Sequence, residues 1–146
     1  MSSPLKQRLQ DDLNQARKAR DKERTLVLST AISEVRNREI DGKEELDDDG
    51  VIAVLSKAVK QRRDAADQFR EADRGELAEK EEAQMAILQE YLPQPLSDDE
   101  VRTMVREILE SGTDQMGAVM GRLMPKIRGR FEGGEANRIV REEMTS

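Results

Sequence analysis

Two prolines in the segment YLPQPLSDDE, Pro93 and Pro95, set the tightest limit on how this chain can fold. A proline inside a helix removes a backbone donor and drives its ring into the preceding turn, and the residue before it is pushed to extended backbone. No regular helix can run through this segment. On either side, apolar residues return every three or four positions, the pattern of a helix that buries one face. The prolines therefore predict a break between two helical regions, residues 1–93 and 94–146.

Upstream, Leu5, Leu9, Leu13 and Ala16 share one face of a first helix. Asp21 is placed to cap a second, whose face carries Leu28, Ala31, Ile32 and Val35. IDGKEELDDDG interrupts the pattern with Gly42 and Gly50 around an acidic run; it reads as an exposed turn in which an Asp caps the next helix. That third helix is expected over residues 51–72, with Val51, Leu55, Ala58, Ala65 and Phe69 on its face. ADRGE is a turn, and a fourth helix with Leu77, Leu88 and Leu92 folds back as an antiparallel hairpin.

Downstream, Ser97 with Glu100 makes a capping box before Val101, Val105 and Ile108. ESGTD separates this helix from one over residues 116–124. Pro125, Gly129, Gly133 and Gly134 are expected to form a loop, and Ala136, Ile139 and Val140 mark the last helix. Nothing alternates with the period of two of a half-buried strand. The predicted fold class is all-α: an N-terminal four-helix region with a long helical hairpin, a Pro hinge, and a small C-terminal three-helix bundle.

Hydrophobic residues make up 36% and aromatics 2%, so Leu, Ile, Val, Met and Ala must fill the core. There is no Cys and no His. Disulfides and thiolate zinc sites are excluded, and the usual nucleophile–base pairs cannot be assembled. No catalytic residue, no metal site and no small-molecule cofactor is expected. The DDDG run with the nearby Glu44 and Glu45 is a solvated turn or a loose oxygen site for a hard cation; it lacks the spacing of a calcium loop. No apolar run is long enough to cross a membrane, and MSSPLKQRLQDD lacks the apolar core of a signal peptide. The expectation is a soluble cytoplasmic protein.

The net charge is −6, but it is uneven. Between Met116 and Arg141, Arg122, Lys126, Arg128, Arg130, Arg138 and Arg141 meet only Glu132 and Glu135, a local excess of positive charge on an acidic body. Cations near the carbonyl end of a helix complement its dipole, which alone accounts for Lys126, Arg128 and Arg130. The second reading is an anion site, in which Gly133 and Gly134 present free amides to a phosphate. Phe131 stacks a base or covers a core edge. Met116, Met120 and Met124 form a stripe that is core or an adaptable partner surface. Arg62 falls on the apolar face of the third helix, while Glu81 and Glu39 fall on the faces of the fourth and second. Arg62 with Glu81 is either an inter-helix ion pair that fixes packing, or Arg62 is a groove residue beside Lys60 and Arg63.

The stretch GAVMGRLMPKIRGR resembles the C-terminal signature of the GatB/YqeY family. RNREID, VLSKAVKQRRDAADQF and LAEKEEAQMAILQEYLP resemble further segments of it, in the same order and spacing. The resemblance is to a free-standing YqeY-like protein and covers nearly the whole chain. It implies a two-part helical fold. A similar module forms the tail of the B subunit of tRNA-dependent amidotransferases, where it contacts tRNA away from the chemistry, and another is appended to some glutaminyl-tRNA synthetases. The matching positions are Gly121, Leu123, Met124, Pro125, Lys126, Gly129 and Arg130, with Asn137 and Val140 downstream. Phe131-Glu132 departs from the usual small residue plus Asp, Gly134-Glu135 from a basic or apolar residue, and Asp73 stands where the family often has Gly.

The resemblance implies a non-catalytic tRNA-binding accessory module. Its RNA-contact candidates are Arg122, Lys126, Arg128, Arg130 and Arg138, with Lys60 and Arg63 on the third helix. The alternative is a protein-interaction module that docks on an aminoacyl-tRNA synthetase or an amidotransferase. Carbon–nitrogen ligase activity with glutamine as amido donor would attach to the chain only by family association and would need partner subunits.

Overall fold

The computed structural model describes residues 3–145. Among them there are seven helices and no strand: α1 (Pro4–Lys18), α2 (Lys22–Gly42), α3 (Asp48–Glu71), α4 (Gly75–Gln89), α5 (Asp98–Glu110), α6 (Met116–Ile127) and α7 (Gly133–Met144). The protein is all-α. It divides into two compact units, one running to Leu92 with α1–α4 and one from Pro93 with α5–α7.

Short polar side chains set the helix starts. Ser3, Asp21 and Asp47 each accept from the backbone N–H three residues on, at the amino ends of α1, α2 and α3. The acidic run is therefore capping machinery: Asp47 takes the Gly50 amide at 2.9 Å, while Asp48 accepts from the Leu5 amide and the Ser3 hydroxyl. At α5 both halves of the Ser97–Glu100 capping box form, each at 3.1 Å.

Two helix ends differ from the expected glycine punctuation. Gly42 stays inside α2 as its last residue, and Lys43 takes the left-handed conformation at φ 55°. Its amide reaches the Ile40 carbonyl and the Glu44 amide reaches Glu39, the paired bonds of a Schellman motif. Arg20 and Asp73 close α1 and α3 in the same way, at φ 59° each. Gly75, two residues further, instead opens α4.

In the first unit Leu9, Leu13, Val27, Leu28, Val35, Val51, Leu55 and Leu88 pack into one core with Tyr91. Tyr91 is 4% exposed. Its hydroxyl donates to Asp12, and the Arg8 guanidinium lies 4.5 Å from its ring centroid. Arg24 holds Glu90 with two hydrogen bonds, at 2.9 and 3.2 Å. Glu90 and Tyr91 thus tie the end of α4 to α2 and α1. Ala66 and Ala78 are buried outside that core cluster, within the α3–α4 hairpin. Glu39 accepts from Lys6 at 2.7 Å and from the Leu46 amide at 2.9 Å. Those two bonds, Lys6 first, hold its carboxyl below the usual range.

In the second unit Val101, Val105, Ile108, Val119, Leu123, Ile127, Ala136, Ile139 and Val140 form the core with Leu96. Met116, Met120, Met124 and Phe131 are half-buried and pack against it.

Candidate nucleic-acid interface

The basic stretch is built on α6. Val119, Leu123 and Ile127 face the core, which turns Gly117, Ala118, Gly121, Arg122, Pro125 and Lys126 outward. The expected loop at Pro125 is not there: Pro125 lies inside α6, which continues to Ile127. A proline costs its helix the bond to the carbonyl four residues back, here that of Gly121. Gly121 is exposed and has open space beside it, so the loss falls where water can reach.

The helix then ends on a type II turn over residues 127–130. Arg128 sits at φ −56°, ψ 125° and Gly129 at φ 74°, with the Arg130 amide bonded to the Ile127 carbonyl at 2.8 Å. The second central position of that turn needs positive φ, which is why Gly129 must be glycine. The turn aims two cations differently. Arg128 is exposed. Arg130 is half-buried, its Nε donates to the Gln94 carbonyl at 2.9 Å, and its own carbonyl accepts from the Leu96 amide at 2.8 Å. Arg130 therefore fastens residues 94–96 to the α6–α7 connection, a tie across sequence distance that no local pattern announces.

The other cations divide as sharply. Arg122 donates to the Ser111 and Thr113 hydroxyls at 2.9 and 2.8 Å, and these neutral groups are its hydrogen-bond partners among the described residues. Arg138 pairs with Glu142 at 2.7 Å, Glu135 at 2.9 Å and Asp98 at 3.4 Å. Glu142 also takes Arg102 at 3.0 Å, and Glu143 takes Arg102 and Arg106. These bonds hold both carboxyls below their usual range, Glu142 chiefly through Arg102 and Glu143 chiefly through Arg106. Arg138 thus belongs to an α5–α7 charge network. Its pairing with Glu135 and Glu142 at i−3 and i+4 was legible from spacing; the Asp98 contact was not.

Gly133 and Gly134 are not a loop before the last helix but its first turn. Glu132 precedes them without a side-chain cap bond, and its Oε1 lies 3.5 Å from where a Cβ on Gly134 would sit. The amino end of α7 therefore already faces a carboxylate.

Lys60 and Arg63 lie in the first unit, exposed on α3. Arg62 is turned inward from them. Its Nη1 donates to Gln84 Oε1 at 2.6 Å and stands 3.4 Å from Glu81 Oε2.

Arg122, Lys126 and Arg128 are exposed around α6, and the sequence has no acid between Asp114 and Glu132. The family model of YqeY-like proteins matches residues 6–144, which spans both units. The chain belongs to the YqeY-like protein family. Its curated relatives include "Altered inheritance of mitochondria protein 41, mitochondrial" of Pyrenophora tritici-repentis, 32% identical over 133 residues, covering 88% of this chain and 74% of that protein. The protein of the same name in Vanderwaltozyma polyspora is 32% identical over 114 residues, covering 76% of this chain and 62% of that protein. An uncharacterized protein of Schizosaccharomyces pombe is 38% identical over 81 residues, 56% of this chain and 66% of that protein. For the latter two, the chain spans under two thirds of the relative's length. No helix of the described residues is long and apolar enough to cross a membrane.

Proposed function

We propose that this YqeY-like protein is a non-catalytic accessory module that binds tRNA through the end of α6, working in the cytoplasm. The observation that carries this reading is the acid-free run Arg122, Lys126, Arg128 on an otherwise acidic chain, exposed at the end of a helix whose outer face is otherwise small. Such cations contact phosphates and position a folded RNA without reading its sequence. Gly117, Ala118 and Gly121 let a backbone approach α6 closely. Any carbon–nitrogen ligase chemistry would come from partner subunits. The mitochondrial designation is that of the fungal relatives.

The test is a titration into labelled bulk tRNA at about 50 and 200 mM salt, the range over which phosphate contacts lose affinity steeply. A Lys126→Glu/Arg128→Glu variant, which leaves the structural Arg130 in place, is run alongside. Steep salt dependence that the folded variant loses supports the proposal. No binding by the wild type at low salt refutes it.

A second reading has its own observation. Met116, Met120 and Met124 are half-buried along one edge of α6, an adaptable apolar strip beside the cations. It favours a module that docks on an aminoacyl-tRNA synthetase or an amidotransferase. Association with such an enzyme that survives nuclease and high salt would decide for this alternative.

A further inference from the structure

A groove between α2 and α3 in the first unit lies outside everything assigned above. Glu34, Asn37, Arg38 and Asp41 line it from α2, Val54, Lys57 and Gln61 line it from α3, and it encloses about 210 Å³. The α2 positions are spaced i, i+3, i+4 and i+7 and the α3 positions i, i+3 and i+7, so each set is one face of its helix. Two anions, two cations and two amides surround a buried valine.

Elsewhere the protein pairs its charges, as in Lys6–Glu39, Arg24–Glu90, Arg62–Glu81 and Arg102–Glu142. In the groove, among the described residues, none of the six polar side chains makes a hydrogen bond or ion pair. Yet Glu34 and Arg38 stand at i, i+4, and Arg38 and Asp41 at i, i+3, the spacings that favour helix ion pairs. Donors and acceptors of both signs face one open space and stay uncommitted.

The lining selects its ligand by charge. A polyanion is opposed by Glu34 and Asp41, and a simple cation by Arg38 and Lys57. A molecule with both signs a few Å apart meets all four. We propose that this groove binds a small zwitterion of the α-amino acid class. Arg38, with Lys57 beside it, takes the carboxylate, since a guanidinium fits a carboxylate with two parallel bonds. Glu34 and Asp41 take the ammonium, Asn37 and Gln61 bond the polar remainder, and Val54 is the floor. The volume suits a ligand of that size, being below the roughly 300 Å³ at which drug-sized pockets begin. Because the charges are exposed, each interaction is weak, and the dissociation constant falls near about 1 mM.

The test is amide-correlation NMR of the full chain titrated with single L-amino acids. At least one is expected to shift the amides around Arg38 and Lys57 saturably. Its analogues lacking the amine or the carboxylate bind about tenfold more weakly. Arg38→Met and Glu34→Gln each weaken binding about tenfold without changing helix content, as neither side chain has a polar partner among the described residues. Lys126→Glu, in the other unit, leaves binding unchanged. The proposal is overturned if no amino acid shifts those amides, if the analogues bind as well as the zwitterion, or if the two variants bind as wild type. The tRNA titration does not read this groove, so the two proposals can fail separately.

Discussion

Arg62 and Gln84 meet across the α3–α4 hairpin, Nη1 of the guanidinium donating to Oε1 of the amide at 2.6 Å. Gln84 is 6% exposed, and Arg62 Nε is buried with no hydrogen-bond partner among the described residues. The pair is therefore a polar island in an apolar seam, with Glu81 at its edge. Removing one member strands the other. Arg62→Met and Gln84→Leu are each expected to cost about 1–3 kcal/mol. The double replacement costs less than the sum, because it removes both polar groups together. Urea unfolding of the four proteins measures the coupling; strict additivity would mean the hydrogen bond is energetically idle.

The left-handed residues at Lys43 and Asp73 make a prediction of the opposite sign. A side chain in that conformation crowds the following carbonyl, and glycine does not. Asp73→Gly and Lys43→Gly are expected to raise stability by about 1 kcal/mol each, visible as a shift of the urea midpoint with unchanged slope. Asp73 is the more telling of the two, since it stands where the family resemblance places glycine.

Those helix ends also mark where sequence reasoning stops. The caps at Asp21 and Ser97, and the presence of an Asp cap in the acidic run, were readable because an N-cap is a local bond within three residues; that the cap is Asp47 was not. The C-caps were not, because the backbone can place a left-handed residue beside a glycine as well as on it, as at Lys43 next to Gly42. Core faces were legible where one stripe suffices, as in Leu9, Leu13 and Ala16. Val27, Val54 and Val59 escaped because α2 and α3 are covered over a wider arc. Past Arg62 the buried position shifts from Ala65 to Ala66, where α3 enters the hairpin. At the basic stretch, composition found the charges but not their partners. Arg130 is anchored to Gln94 and Arg138 to Asp98, pairs of residues far apart in sequence.

Tyr91, the chain's single tyrosine, gives an alkaline signature. Burial first, and then its bond to Asp12, push its hydroxyl up to about 12. In the unfolded chain it ionises near about 10. The fold favours the neutral phenol, so its contribution is complete below pH about 10 and is lost as pH rises through about 12. Tyrosinate absorbance should titrate near pH about 12 in the native protein and near pH about 10 in urea. A native midpoint near about 10 would place the ring in water. In Tyr91→Phe the fall in stability over that pH range should disappear.

The charge network on α5 and α7 separates basic residues that sequence alone treats alike. Arg138 is already balanced by Glu135, Glu142 and Asp98, whereas Lys126 stands exposed at the last turn of α6. Under the tRNA proposal, removing one cation that touches a phosphate lowers the salt slope of binding by about one. Lys126→Ala should therefore lower both affinity and slope, while Arg138→Ala leaves the slope unchanged. Stability should report the reverse. Arg138→Ala leaves Glu135, Glu142 and Asp98 near one another without their shared cation, and weakens the second unit. Lys126→Ala, at an exposed helix end, changes stability by no more than a few tenths of a kcal/mol. If Arg138→Ala instead cut the salt slope as Lys126→Ala does, the network would have to open to receive RNA, and the binding surface would extend from α6 onto α7.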